Sequence, residues 1–295
     1  MKRYSQPDGY GGTSATDTAF DDNGNAHVTW DLMGTATIHN FNLVSNLEAS
    51  RVEAYGTSDA RIVCTQWDTT LRQPVAIAAP QLRTTFAYDA AGNLLTKSEQ
   101  ATSDLDGSQC FNAALLGTAR RWTYTYNAMG QLLTQRGPRT DVNDTSTYTY
   151  DLGGNLTSAT NAIGQVVTYS NYDANGHVGR ITDPNGLVTD MLYTTRGWLA
   201  SMKRGTETTT YSYDGVGHLT QVTQPDGSNF RYTYDAAQRL TGIADDLGNT
   251  ITYTLDPMGN RVNEAVRDPN GVLSRQTSRV IDILNRLQQV TGAQQ

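Results

Sequence analysis

Several kinds of chemistry are scarce in this chain before any motif is sought. Of its 295 residues, 17% are charged and 37% are apolar, and the apolar share is low for a packed globule. Thr, Ser, Asn, Gln and Gly make up the difference, a balance that suits a large polar-faced sheet better than a compact core. The 16 tyrosines argue against disorder. A net charge of −7 offers no basic surface, so nucleic acid is not an expected partner. No apolar run approaches the length of a membrane span. None follows Met1-Lys-Arg-Tyr-Ser-Gln-Pro, so a standard signal peptide is not expected, and any export would use another route. Only two cysteines occur, Cys64 and Cys110, without CxxC spacing. Idle thiols are favoured over a single disulfide, which stays open.

What the chain does have is a repeat. The stretch from Tyr211 to Leu240 states a phrase, Tyr-x-Tyr-Asp-x-x-Gly-x-Leu, and states it again with Asp214 and Asp235 21 residues apart. Tyr232 and Tyr234 are two apart, so in a strand both rings leave one face, and tyrosine and threonine are strong strand residues. Asp235 then opens a turn in which Asp can bind amides ahead of it. In the copy at Asp214 the turn closes at Gly217, where a positive φ and a bulge are expected. Each phrase is one β-hairpin. A second turn joins each hairpin to the next, as in Asp183-Pro-Asn-Gly186, Gln224-Pro-Asp-Gly227, Asp245-Asp-Leu-Gly248 and Asp268-Pro-Asn-Gly271. The fold class is all-β, and equivalent tyrosines are expected to form ladders.

Two regions follow. Residues 1–80 are irregular with degraded repeats: a Gly-, Ser- and Thr-rich lead-in over 1–19, then turn phrases at Asp21 and Asp31, the latter with Trp30 in the tyrosine slot. Residues 81–295 are the repeat sheet proper. Its structural residues are Tyr88, Asp89 and Gly92; Tyr124, Tyr126 and Gly130; Tyr148, Tyr150 and Asp151; Tyr172, Asp173 and Gly176; Tyr211, Tyr213, Asp214 and Gly217; Tyr232, Tyr234 and Asp235; Tyr253, Asp256 and Gly259. From Asp151 the beat is steady through Asp173, Thr194, Asp214, Asp235 and Asp256, Thr194 alone breaking the Asp rule. An insertion near 103–117 interrupts it earlier, and an idle surface excursion is favoured there over a lid or plug. The last copy, from Asp282 to Leu287, has lost tyrosine and glycine and reads as a weak repeat turn, with the start of a helical turn as the alternative.

The phrases Tyr150-Asp151-Leu-Gly-Gly-Asn-Leu156, Tyr213-Asp214-Gly-Val-Gly-His-Leu219 and Tyr234-Asp235-Ala-Ala-Gln-Arg-Leu240 resemble YD repeats, and the chain resembles the bacterial Rhs proteins over residues 20–290. The resemblance implies YD-repeat β-hairpins winding into a spiral sheet that forms a hollow shell or part of one. Related shells occur in toxin complexes and teneurins. It implies a shell segment of a secreted toxin enclosing a C-terminal toxic cargo in interbacterial competition. The expected partners are that cargo or the rest of the shell, a secretion apparatus, and further copies through open sheet edges. The implied location is the bacterial cytoplasm before export and the cell exterior after it.

No enzyme is expected. His177 and His218 follow the turn glycine in a slot filled elsewhere by Asn93, Gln131, Asn155, Trp198 and Asn260, which is no metal position. Almost every aspartate begins a turn, where Asp needs no chemistry to explain it. No nucleophile elbow, P-loop or dinucleotide fingerprint occurs. No catalytic residue, cofactor or metal site is assigned. The alternative reading is a cell-surface adhesion or carbohydrate-binding module that uses the tyrosine ladders.

Overall fold

The structure, a computed structural model, describes residues 2–7, 13–31 and 33–294. Its regular structure is β throughout; the one helical element among the described residues is a short 3-10 turn, Cys110–Asn112. The chain forms two compact units. One holds Met1–Thr149 with Ala159–Gln165, and the other holds Tyr150–Ser158 with Val166–Gln295. Inside each unit, strands pair antiparallel with their neighbours in sequence.

The second unit shows how the phrase folds. In the hairpin of Glu207–Tyr213 with Leu219–Thr223, the Asp214 amide donates to the His218 carbonyl (3.0 Å) and the Gly217 amide to the Asp214 carbonyl (3.3 Å). This is a type I turn closed by a residue in the left-handed region, and Gly217 takes φ +103° there. Two copies hold that conformation without glycine, at Gln238 (φ +65°) and Asn285 (φ +62°). The copy at Asp282 is therefore a hairpin turn joining Leu273–Ile281 to Leu287–Gln294, and not the alternative helical turn. Asn285, tolerant of this backbone, replaces the missing glycine.

A bulge settles which face is which. Leu219 and Val222 are three apart, which in a regular strand would put them on opposite faces. Tyr213 opposes Leu219, Ser212 opposes Gln221 and Tyr211 opposes Val222, so Thr220 is an extra residue. The next hairpin repeats the pattern, with Tyr234 opposite Leu240 and Tyr232 opposite Ile243. Tyrosines, leucines, Val222 and Ile243 thus share one half-buried face. Ser212, Thr233 and Thr252 lie exposed on the other.

The first unit begins with a paired hairpin, Lys2–Pro7 with Thr13–Phe20. The described part of 1–19 is thus strand and not the loose lead-in expected of its composition. The turn phrases at Asp21 and Asp31 follow, each closed by glycine. Two expectations are corrected between Arg61 and Gly117. Cys64 and Cys110 are joined in a disulfide rather than left as idle thiols. The insertion is not an idle excursion but a docked cover: its 3-10 turn packs on Arg61–Asp68 and Gln73–Ala79, and Ala113 is buried along with Cys64, Ala76 and Ala78. Small side chains on the strands leave the space it fills. Asp104, 2% exposed, accepts the amides of Gly107 and Gln109 (both 2.9 Å), so its burial leaves no carboxylate oxygen unpaired.

Candidate functional site

Within each unit the structure gives the repeat residues one recurring turn arrangement. In each copy one carboxylate oxygen of the leading aspartate accepts backbone amides, commonly those two and four residues on. For Asp89 these are Ala91 and Asn93 (both 2.9 Å), and for Asp235 they are Ala237 and Arg239 (both 2.9 Å). The second oxygen takes the side chain at the fourth position. Asn93 Nδ2 donates to Asp89 (2.9 Å), Asn155 Nδ2 to Asp151 (3.0 Å), Arg239 Nε to Asp235 (2.8 Å) and Asn260 Nδ2 to Asp256 (2.9 Å). His177 Nδ1 lies 2.9 Å from Asp173 Oδ2, and His218 Nδ1 2.8 Å from Asp214 Oδ2. This is why the slot accepts Asn, His and Arg alike. All can give a hydrogen to a carboxylate.

Two copies vary the theme. At Asn127 the polarity reverses, its Nδ2 donating to Gln131 Oε1 (2.9 Å). At Thr194 the hydroxyl accepts the Trp198 amide (3.1 Å), and no second oxygen needs the donor that the Trp198 ring does not direct at it.

Several slot side chains also reach the following turn. A Cβ on Gly197 would sit 2.9 Å from the His177 ring, and one on Gly217 would sit 2.7 Å from Trp198. Arg239 Nη1 donates to the Asp256 carbonyl (3.0 Å), beside Gly259, and Gln73 Nε2 to that of Gly92 (3.3 Å). The residue before each turn then closes the link. Tyr126 donates its hydroxyl hydrogen to the Leu94 carbonyl (2.9 Å), Tyr172 to Leu156 (2.6 Å), Tyr213 to Leu199 (3.0 Å) and Tyr234 to Leu219 (2.9 Å). In each case the acceptor is the residue that starts the return strand of the preceding copy. Tyr88 does the same to Pro74 (2.9 Å). The ring contacts seen in the second unit join a tyrosine to the slot side chain of the preceding copy and not to an equivalent tyrosine. Tyr193 stacks on His177 (4.8 Å between centroids) and Tyr234 on His218 (4.6 Å), while Tyr213 meets Trp198 at a tilt of 42° (5.3 Å).

Tyr193 and Trp67 belong to this set; Tyr193 stands in the copy that breaks the Asp rule at Thr194, and Trp67 escaped the sequence reading. Tyr193 donates to the Val178 carbonyl (3.1 Å) and Trp67 Nε1 to that of Glu48 (2.7 Å). The signal was present, since each stands directly before the residue that opens a turn. The first tyrosine of the phrase has a different role. Tyr124, Tyr148, Tyr211, Tyr232 and Tyr253 lie half-buried on the same face, and the Tyr211 and Tyr232 hydroxyls bond to no protein group. Tyr150 ends the strand Thr145–Tyr150 before the Asp151 turn. Gly130 and Gly176 close their turns at φ +77° and +82°.

The electrostatics follow from these bonds. The His218 side-chain hydrogen bond, with backbone amides behind it, lowers the Asp214 carboxyl to about 2. Bonds from Asn93, Asn155, His177, Arg239 and Asn260 hold Asp89, Asp151, Asp173, Asp235 and Asp256 below the usual range. Partial burial raises the phenols of Tyr88, Tyr126, Tyr172, Tyr213 and Tyr234. The Asp173–His177 and Asp214–His218 pairs face Tyr193 and Tyr234, whose hydroxyl hydrogens are given to carbonyls. Among the described residues no three His, Cys, Asp or Glu side chains gather as metal ligands. Within each unit these bonds link one copy to another.

Residues 109–257 match the family model described as the teneurin YD-shell. No curated protein sequence matches the chain. Among solved structures it is similar to a TcdB2–TccC3–Cdc42 complex at 20% identity and a TM-score of 0.74, over 93% of this chain and 16% of that one. It is also similar to the Photorhabdus luminescens Tc holotoxin pore carrying a TccC3 variant, at 18% identity and a TM-score of 0.69, over 94% and 18%. The chain thus spans about a sixth of the length of the structures it resembles.

Proposed function

The chain belongs to the teneurin YD-shell family, and from that premise we propose that it is a wall segment of a secreted Rhs-type toxin, enclosing and shielding a toxic cargo. One observation carries this reading. Within the second unit the tyrosine–carbonyl bond and the slot contact pass from copy to copy, so a wall built this way extends by adding hairpins and needs no separate core. Its action is physical: a paired sheet excludes the cargo from solvent and partners, with no reaction of its own. The toxin-complex structures that share this fold support the assignment to toxin packaging. The Cys64–Cys110 disulfide supports an oxidising destination. The carbohydrate-binding alternative is not favoured, because the tyrosines before the turns have their hydroxyls bonded and, at Tyr193, Tyr213 and Tyr234, a ring packed against them.

Among the described residues, Leu287–Gln294 pairs with Leu273–Ile281 and with no second strand. Unpaired edges invite further pairing. Light scattering on the purified chain at several concentrations tests the wall reading. Oligomers that grow with concentration are expected; a monodisperse monomer throughout would overturn it.

A further inference from the structure

Residues 103–117 leave the sheet after Thr102 and rejoin it in the strand Leu115–Tyr126; between these strands they cover the face of the first unit that carries Cys64, Ala76 and Ala78, and three further kinds of attachment hold them there. Backbone bonds run from the Ile62 amide to the Asp106 carbonyl (2.8 Å) and from the Gln81 amide to the Asp104 carbonyl (2.6 Å). The Arg83 guanidinium donates to the carbonyls of Phe111 and Ala113. The third attachment is covalent, between Cys64 and Cys110. Only this last one responds to redox conditions.

The two cysteines are not equivalent. Cys64 is 4% exposed in the middle of a strand, whereas Cys110 is half-buried in the 3-10 turn. Cys110 also takes φ +48°, a conformation that non-glycine residues hold only where their surroundings impose it. Releasing its side chain relieves that constraint and leaves the sheet pairing intact. Covers of this sort, held by a few contacts over a better-paired scaffold, are where local opening occurs.

We propose that the Cys64–Cys110 disulfide is a redox latch. Oxidised, it holds 103–117 shut over the strands; reduced, it lets the segment lift while Arg61–Asp68, Gln73–Ala79 and Leu82–Tyr88 stay paired. The reductant is a dithiol. Its thiolate attacks the more accessible Cys110 Sγ, the S–S bond breaks, and Cys64 leaves as a thiolate that takes up a proton. The second thiol of the reductant then displaces Cys110 from the mixed disulfide. Two electrons pass to the protein, and the reductant departs as its own disulfide. The latch is independent of the shell reading, since it concerns only how one segment is held.

Hydrogen exchange with peptide-level mass analysis, on the whole chain with and without dithiothreitol, tests it. Exchange across 103–117 should quicken by at least about tenfold on reduction, while Gln73–Ala79 and Leu82–Tyr88 change less than about twofold. Cys110→Ser without reductant should reproduce the effect, separating bond loss from any other action of the reagent. Unchanged exchange across 103–117 in both conditions would mean that the hydrogen bonds alone hold the cover, and the latch would fall. Equal acceleration in the cover and the strands beneath it would make the bond a staple of the whole unit and overturn the proposal just as surely.

Discussion

Two stretches of this protein stabilise the same hairpins by different means. Between Arg61 and Gly117 the strands carry small side chains and a cover is seated on them, burying Cys64, Ala76, Ala78 and Ala113. Between Val188 and Leu255 no segment covers the tyrosine face, and Val222 is the one apolar side chain buried there among the described residues. Those hairpins rest on turn aspartates, slot donors and tyrosine–carbonyl bonds. One sheet motif therefore tolerates two sources of stability, a small local core or a hydrogen-bonded spine, and each should fail under a different insult.

Acid should separate them most. In the second unit Asp151, Asp173, Asp190, Asp214, Asp226, Asp235, Asp245, Asp256 and Asp282 are held below their ordinary values, Asp214 and Asp282 at about 2. Among the described residues the first unit has fewer such groups: Asp21, Glu53, Asp89 and Asp106. A depressed carboxyl contributes stability above its unfolded value, near 4, and loses it as pH falls through the folded value. From pH about 4 down to about 2 the second unit should lose exchange protection first. Equal loss in both units would break the contrast.

The reverse experiment is Gly107→Ala. Gly107 has φ +85°, and an added Cβ would lie 1.9 Å from the Ile62 carbonyl oxygen, a backbone atom with nowhere to go. The cover must lift, at about 3 kcal/mol or more. Urea denaturation followed by exchange should show the loss in the first unit alone. A variant as stable as the parent would mean the cover contributes little.

These contrasts also mark how much could be read from residues alone. Hairpins, turn glycines and the beat from Asp151 to Asp256 were legible because each rests on contacts within five residues. The slot rule was nearly so: Asn93, His177, His218 and Arg239 all look like donors once the aspartate four residues earlier is asked what its second oxygen binds. The shared face of Leu219 and Val222 was not legible, since it depends on a bulge at Thr220 that Thr itself does not announce. Nor was the docking of 103–117. Its partners Ile62, Gln81 and Arg83 lie 20 to 45 residues away, and two cysteines without a spacing pattern say nothing of whether they meet.

Within the spine, the two tyrosines of one phrase should behave differently. Tyr213→Phe removes the bond to the Leu199 carbonyl (3.0 Å) on a half-buried face and should cost about 1 kcal/mol. Tyr211→Phe removes a hydroxyl without a protein partner and should change stability by less than about 0.5 kcal/mol. Equal effects in thermal or urea unfolding would show that area burial, and not the carbonyl link, is what these tyrosines supply.

The smallest effect tests the turn itself. Gln238 holds φ +65° in the slot that glycine fills in the copies at Asp214 and Asp256. A side chain in the left-handed region costs about 1–2 kcal/mol, and glycine returns about 0.5–1 kcal/mol of that through its freer unfolded chain. Gln238→Gly should therefore stabilise the second unit by about 0.5 kcal/mol, read as a small rise in the urea midpoint. Gly217→Ala, with φ +103° and the Trp198 ring 2.7 Å from the new Cβ, should act oppositely and more strongly. Were Gln238→Gly to destabilise instead, the glutamine would be contributing a contact that outweighs its backbone cost, and the loss of glycine from that copy would be an adaptation of the spine.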